Sequence, residues 1–134
     1  MDSMLTKKRV LLVEDDTFVS NIYQVKLEKE GFVVALATNG LEAIKQLESG
    51  SFDMVLLDIV MPYMDGIETL KKMKADSRWQ RLPVILLTNL SEREKIEEAL
   101  GIGANDYLIK SHFTPSEVIE KINALFKKTE SAKM

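Results

Sequence analysis

Five short runs of aliphatic and β-branched residues recur along this chain, separated by stretches with helical spacing, and this alternation restricts the fold more than any other feature. The runs are Val10-Leu11-Leu12-Val13, Phe32 to Ala37, Met54-Val55-Leu56-Leu57, Val84-Ile85-Leu86-Leu87 and Tyr107-Leu108-Ile109. Uninterrupted apolar runs of about four to eight residues read as strands buried on both faces, the habit of parallel sheets covered by helices. Four of the runs stop abruptly at polar residues: Glu14-Asp15, Asp58, Thr88 and Lys110. Parallel strands all end on the same edge of their sheet, where open α/β sheets bind ligands. Three carboxylates, one hydroxyl and one ammonium are therefore expected to meet there.

The stretches between the runs carry helix signals. Asp16 caps a helix (α1) from Thr17 to about Glu30, closed by Gly31, with Phe18, Val19, Ile22, Val25 and Leu27 on its apolar side. Asn39-Gly40-Leu41-Glu42 opens α2 at Gly40, and Ser91-Glu92-Arg93-Glu94 opens α4 at Glu92; in each, a capping residue precedes a Glu by three places. Between them, Ile67, Leu70 and Met73 give a helical face to α3, Gly66 to about Ala75. Thr114-Pro115-Ser116-Glu117 starts α5, which carries Val118, Ile119, Ile122, Leu125 and Phe126. With strands β1 (8–13), β2 (32–37), β3 (54–57), β4 (83–87) and β5 (106–109), the chain is a succession of βα units. Right-handed crossovers then favour an α/β fold with a doubly wound, five-stranded parallel sheet in the order 2-1-3-4-5. Its switch point lies between β1 and β3, the strands that deliver Glu14, Asp15 and Asp58.

Length and charge exclude several function classes. The 134 residues read as one domain, 1–134, with its core over 8–127 and a polar tail at 128–134. No apolar stretch approaches the ~18 residues of a membrane helix, and Met1-Lys8 lacks the apolar core of a signal peptide. Neither membrane insertion nor export is expected, and a cytoplasmic location is. The absence of cysteine removes disulfides and thiolate chemistry together. A net charge of -3, with 18 Lys and Arg dispersed among 21 Asp and Glu, argues against direct nucleic-acid binding.

Clustered carboxylates repel one another, and a cation resolves the conflict. Oxygen-only donors without nearby His or Cys select a hard metal, and Mg2+ fits best because it takes few carboxylates and keeps several waters. Lys110 adds a positive charge and Thr88 a hydroxyl donor. Such a set suits the spread charge of a phosphoryl group in transfer, with a carboxylate, centrally Asp58, as nucleophile.

In these residues the chain resembles the receiver domain of two-component response regulators, in particular single-domain receivers of the chemotaxis type. The likeness runs from Arg9 to about Lys127 and rests on four motifs in combination. They are Val-Glu-Asp-Asp after β1, Leu-Asp-Ile-Val-Met-Pro with Asp65-Gly66 after β3, Leu-Thr after β4, and Gly-Ala-Asn-Asp-Tyr-Leu-Ile-Lys through β5. The resemblance implies a flavodoxin-like (βα)5 fold and a phosphoacceptor rather than an enzyme, one that assists its own phosphorylation and dephosphorylation. By the same resemblance, Asp58 accepts a phosphoryl group from the phosphohistidine of a sensor histidine kinase or a phosphotransfer protein. Asp15 would ligate Mg2+ directly, Glu14 through water, Asp58 with its carboxylate and Val60 with its backbone carbonyl. Thr88 and Lys110 would hold the phosphoryl oxygens, and Tyr107 would swing inward as Thr88 moves. Output would reach a downstream protein through the α4-β5-α5 face, and a phosphorylation-dependent dimer is a further expectation.

Other assignments remain open at this stage. An interaction module that keeps the fold without phosphorylation, or a Mg2+-dependent phosphatase with an aspartyl nucleophile, would share much of the pattern. The chain also departs from the family at Ser111, where proline usually follows the lysine, so a trans Lys110-Ser111 bond and a reshaped loop are expected. Asn89 stands where a small residue is usual. Val60 and Leu90 are apolar and orient no water, which predicts a long-lived aspartyl phosphate. Asp16 and Asp65 read as a helix cap and an Asp-Gly turn, His112 as an exposed loop residue, and Gly101-Ile102-Gly103 as a helix stop.

Overall fold

A computed structural model of the chain describes residues 7–89 and 93–132, with side chains to residue 128. Its strands are β1 (Arg9–Val13), β2 (Val33–Ala37), β3 (Met54–Leu57), β4 (Val84–Thr88) and β5 (Asp106–Ile109). The helices are α1 (Thr17–Lys29), α2 (Gly40–Ser49), α3 (Gly66–Ala75), α4 (Arg93–Ile102) and α5 (Pro115–Ala132). The five strands form one parallel sheet in the expected order, β2-β1-β3-β4-β5. Thr88 closes β4 instead of following it. The helix α5 continues to Ala132, so most of the segment expected as a polar tail is helical; the spacing of Phe126 from Ile122 already belongs to the same helix.

Strict alternation along each strand divides the core into two layers. Leu11, Val13, Val55, Leu57, Val84 and Leu86 face α2, α3 and α4, where Leu47, Ile67, Leu70, Met73 and Ile96 close over them. Val10, Leu12, Met54, Leu56, Ile85 and Leu87 face α1 and α5, meeting Tyr23, Leu27, Val118, Ile119, Ile122 and Phe126. Both faces of the central strands are thus dry.

The buried face of α1 differs from the sequence reading. Ser20, Tyr23 and Leu27 are its buried residues, whereas Phe18 is 75% exposed and Val25 also faces solvent. Residues seven apart share a helix face, so Phe18 and Val25 stand together on the outer side, while Ser20 and Leu27 turn inward. The hydroxyl of Ser20 tolerates this burial because it donates to the Thr17 carbonyl at 3.2 Å.

Helix ends are fixed by their own side chains. Asp16 accepts from the N–H groups of Phe18 and Val19, Asn39 from Glu42, and Thr114 forms a reciprocal pair with Glu117. Asp65, expected only in a turn, forms a full capping box with Glu68 at the start of α3. The cap expected at Ser91, and Leu90 beside it, lie outside the described residues. Gly31 and Gly103 take positive φ values after α1 and α4, which makes the second a helix stop, as expected, and not a phosphate loop. No helix of the described residues is long and apolar enough to cross a membrane.

Candidate functional site

Strand register builds the site. Val13 pairs with Leu57, so the next residues, Glu14 and Asp58, emerge side by side, and the Asp58 N–H donates to the Val13 carbonyl at 3.0 Å. Thr88 pairs with Ile109, which places Lys110 directly past the β5 end. An open crevice of about 520 Å3 lies over these ends, lined among others by Glu14, Asp15, Asp58, Val60, Asn89, Lys110 and Ser111. It sits at the β1/β3 switch point, where the connections leave the sheet to opposite sides.

Within the crevice, Lys110 Nζ donates to Glu14 Oε1 at 2.6 Å and to Asp58 Oδ2 at 3.2 Å. Asp58 Oδ1 accepts from the Ile59 N–H at 2.7 Å, and Glu14 Oε2 accepts from the Asp16 N–H at 3.1 Å. Glu14 is only 3% exposed. Burial pushes its carboxyl up to about 7, against the Lys110 hydrogen bond and with repulsion from Asp58 adding to the rise. Burial pulls the Lys110 ammonium down, but attraction to Asp58 and the bond to Glu14 outweigh it and leave the lysine above its ordinary value. One ammonium does not neutralise the site.

This surplus of negative charge bears on metal binding. Glu14, Asp15 and Asp58 can each bring a carboxylate oxygen within 4.8 Å of the others. Asp15 is exposed, and it opens the cluster to the crevice. The donor set is all oxygen and short of positive charge, which fits a small hard dication such as Mg2+.

The remaining sequence-predicted residues take distinct positions. Thr88 is buried, and its Oγ1 has no hydrogen-bond partner among the described residues, although buried hydroxyls are rarely left so. Val60 lines the crevice with its side chain half exposed. Tyr107 pairs with Leu86, two residues before the β5 end, and is exposed in a second cavity of about 300 Å3 with Arg93, Ile96, Glu97, Leu100, Ile109 and His112. The Lys110-Ser111 bond is trans, and the chain turns at once into a single 3-10 turn, Lys110–His112. His112 is exposed.

Sequence reasoning missed Tyr23, which also lines the crevice. It missed the two glycines that bring the surrounding loops together as well. A side chain at Gly66 would collide with the Asp58 carbonyl, and one at Gly40 with Thr69 Oγ1. The glycine of the Asp65-Gly66 pair is thus required by the close approach of α3 to Asp58, and the pair itself was the available signal.

Fold and site together define a class of doubly wound α/β proteins with an acidic crevice at the switch point, a lysine reaching into it from the β5 end and a buried threonine closing the neighbouring β4. The family model described as "Response regulator receiver domain" matches residues 10–123, and the chain belongs to that family. Chemotaxis protein CheY-3 of Vibrio cholerae is 36% identical over 130 residues, covering 96% of this chain and 99% of its own length. The transcriptional regulatory protein PhoP of Bacillus subtilis, named for alkaline phosphatase synthesis, is 35% identical over 129 residues and 93% of this chain. The chain spans 51% of PhoP and 52% of the CpxR homolog of Haemophilus influenzae. Among solved structures, a CheY-like receiver domain protein from Methanospirillum hungatei superposes with a TM-score of 0.84 at 30% identity, covering 95% of this chain and 99% of that one. CheY4 of Vibrio cholerae gives 0.82 at 30% identity over 90% of this chain and 99% of its own.

Proposed function

We propose that this chain is a phosphorylation-controlled signalling switch of a two-component system, with Asp58 as the phosphoacceptor. The observation that carries the reading is the pairing of Lys110 with Asp58 at 3.2 Å, on the sheet edge where β4 ends at Thr88, whose Oγ1 has no partner among the described residues. An Asp58 carboxylate oxygen forms a bond to phosphorus as the N–P bond of a phosphohistidine breaks, and the departing imidazole keeps the electron pair. The donor is a sensor histidine kinase or a phosphotransfer protein. Glu14, Asp15, Asp58 and the Val60 carbonyl would hold Mg2+, which supplies charge neutralisation for the transferring group when bound.

The chain's own groups do the rest. Lys110 exchanges its hold on the Asp58 carboxylate for a phosphoryl oxygen, and the Thr88 hydroxyl gains the acceptor it lacks. Movement of Thr88 at the end of β4 frees space toward β5, and Tyr107 turns inward. Output passes through the α4-β5-α5 face, where Tyr107 and Leu100 now line a solvent-facing cavity. A partner protein, or a second copy of the chain, reads the change there. The apolar Val60 at the mouth orients no water, so the chain's own dephosphorylation is slow and the aspartyl phosphate long-lived. The domain as a whole is read as one receiver unit acting in the cytoplasm, without direct contact to nucleic acid.

Intact-mass measurement after incubation with acetyl phosphate and Mg2+ tests this reading. A single phosphoryl adduct that Asp58→Asn abolishes is expected. Acetyl phosphate consumed without adduct would support a phosphatase instead, and no reaction at all would support a silent interaction module. Val60→Asn should shorten the adduct's lifetime; an unchanged lifetime removes the role given to Val60.

A further inference from the structure

We propose that the exposed ring of Tyr63 is an anchor for the phosphodonor protein, packing on an apolar surface beside the donor's phosphohistidine. The proposal rests on the reading of Asp58 as phosphoacceptor and adds a residue that selects the donor. Tyr63 holds a backbone φ of 66°, a conformation that glycine adopts freely and an aromatic residue only under strain. Its side chain is 84% exposed. The loop imposes this conformation through other groups: the Met64 N–H donates to the Pro62 carbonyl at 2.8 Å, the Gly40 N–H to the Met64 carbonyl at 2.9 Å and the Gly66 N–H to the Ile59 carbonyl at 2.8 Å. Asp65 and Glu68 complete it with their capping box. A glycine at position 63 would keep every one of these bonds at lower cost.

Strain of this kind, held in place by the surrounding structure, collects at functional positions. An exposed aromatic ring finds its return outside the chain, and tyrosine is among the residues that dominate binding when a partner buries them. Where the loop stands identifies that partner. Asp58 is 7% exposed, so a phosphohistidine comes within reacting distance only if the surface that bears it settles on the rim of the crevice. Gly66 packs so closely on the Asp58 carbonyl that a side chain there would collide with it, and Tyr63, three residues before Gly66, lies within about 11 Å of it by chain length alone. A protein contact of ordinary size covers about 800 Å2 on each partner, a disc of roughly 16 Å radius. A donor centred on Asp58 therefore reaches Tyr63.

Sheet order separates this position from the output face. The Tyr63 loop is tied to α2 through Gly40, on the β2 side of the sheet, whereas β5 forms the opposite edge. A downstream protein seated on α4, β5 and α5 leaves Tyr63 uncovered. Two further apolar residues on the same rim are half exposed, Val60 at the crevice mouth and Leu41 directly after Gly40. Their chemistry suits a donor that delivers a phosphoryl dianion. The crevice already holds a surplus of carboxylate, and further negative charge on the rim would repel the incoming group. An apolar anchor grips the donor without adding to that repulsion, and a ring on a pinned loop loses little freedom when it is buried.

Phosphotransfer kinetics test the anchor. Each histidine kinase of the source cell is purified with radiolabelled phosphate on its histidine, and the one that labels the chain fastest serves as donor. Tyr63→Gly relieves the strain and keeps the loop, yet it should lower kcat/KM for that transfer about thirtyfold, the scale of losing one dominant aromatic contact. The loss should fall on KM and leave kcat in place. Tyr63→Asn, which also suits a left-handed backbone, should behave like Tyr63→Gly, and Tyr63→Phe like the unsubstituted chain. Acetyl phosphate has no surface to pack on the ring, so every variant should react with it at the same rate. Undiminished transfer to Tyr63→Gly, an equal loss with acetyl phosphate, or a Tyr63→Phe chain as slow as Tyr63→Gly would each overturn the proposal. So would a defect of Tyr63→Gly confined to self-association, which would give the ring to a second copy of the chain. If no kinase labels the unsubstituted chain while acetyl phosphate does, the protein donor and its anchor fall together. Failure of acetyl phosphate as well would count against Asp58 as phosphoacceptor.

Discussion

Tyr63 is the one non-glycine residue with a left-handed backbone among those described, at φ 66°, and its side chain is 84% exposed. It sits in the loop that leads from Asp58 to the cap of α3, and an exposed ring does little to offset the strain of that conformation. A bulky residue there costs about 1–2 kcal/mol. Tyr63→Gly should therefore raise the unfolding free energy by about 1 kcal/mol in urea melts; a loss of stability would show that the ring makes a compensating contact. At this scale the sequence was legible wherever a polar residue interrupts an apolar run, because an ionised or hydroxyl group there demands a partner. Glu14, Asp58, Thr88 and Lys110 were visible for that reason. Tyr23 was hidden, because a tyrosine on a helix counts as apolar in any periodicity, and its wet end shows only in three dimensions.

The third helix, α3, shows how local chemistry sets an element's limits. It opens at the Asp65–Glu68 capping box and closes at Asp76, whose carboxylate takes two bonds from the Arg78 guanidinium. Loss of the first should matter more to folding than the surface pair: Asp65→Ala should lower stability by about 1 kcal/mol in the same urea melts. At the other end, hydrogen bonds from Arg78 hold the Asp76 carboxyl down to about 2. A depressed carboxyl stabilises the fold above its unfolded value and loses that contribution as pH falls through the folded one. The Asp76 resonance should thus titrate near pH 2, and Arg78→Ala should bring its midpoint back toward the ordinary carboxylate range. A midpoint indifferent to Arg78 contradicts the pairing. Element type and order were readable from caps and apolar runs. The buried side of α1 was not, because Phe18 and Val25 compete with Tyr23 and Leu27 for the apolar face and only packing against β1 and α5 decides between them.

For the whole molecule, topology converts separate sequence signals into one site. The order β2-β1-β3-β4-β5 puts the carboxylates of the β1 and β3 ends in one crevice and sets the β4 and β5 ends, with Thr88 and Lys110, beside them. The charge surplus in that crevice predicts linkage between folding and metal. Saturating Mg2+ should stabilise the folded chain, by about 2.7 kcal/mol at a hundredfold excess over the dissociation constant, and Asp15→Asn should abolish most of the gain. A thermal midpoint unmoved by Mg2+ would contradict the metal site. The division of labour among strand ends makes a sharper claim: the β3 end alone is the nucleophile. Treating the phosphorylated chain with borohydride reduces an acyl phosphate to the alcohol, and peptide mass mapping then identifies the residue. Homoserine at position 58 and nowhere else is the predicted result. Reduction at Asp15 or Asp65, or at no aspartate in a chain that carries the adduct, would contradict the account.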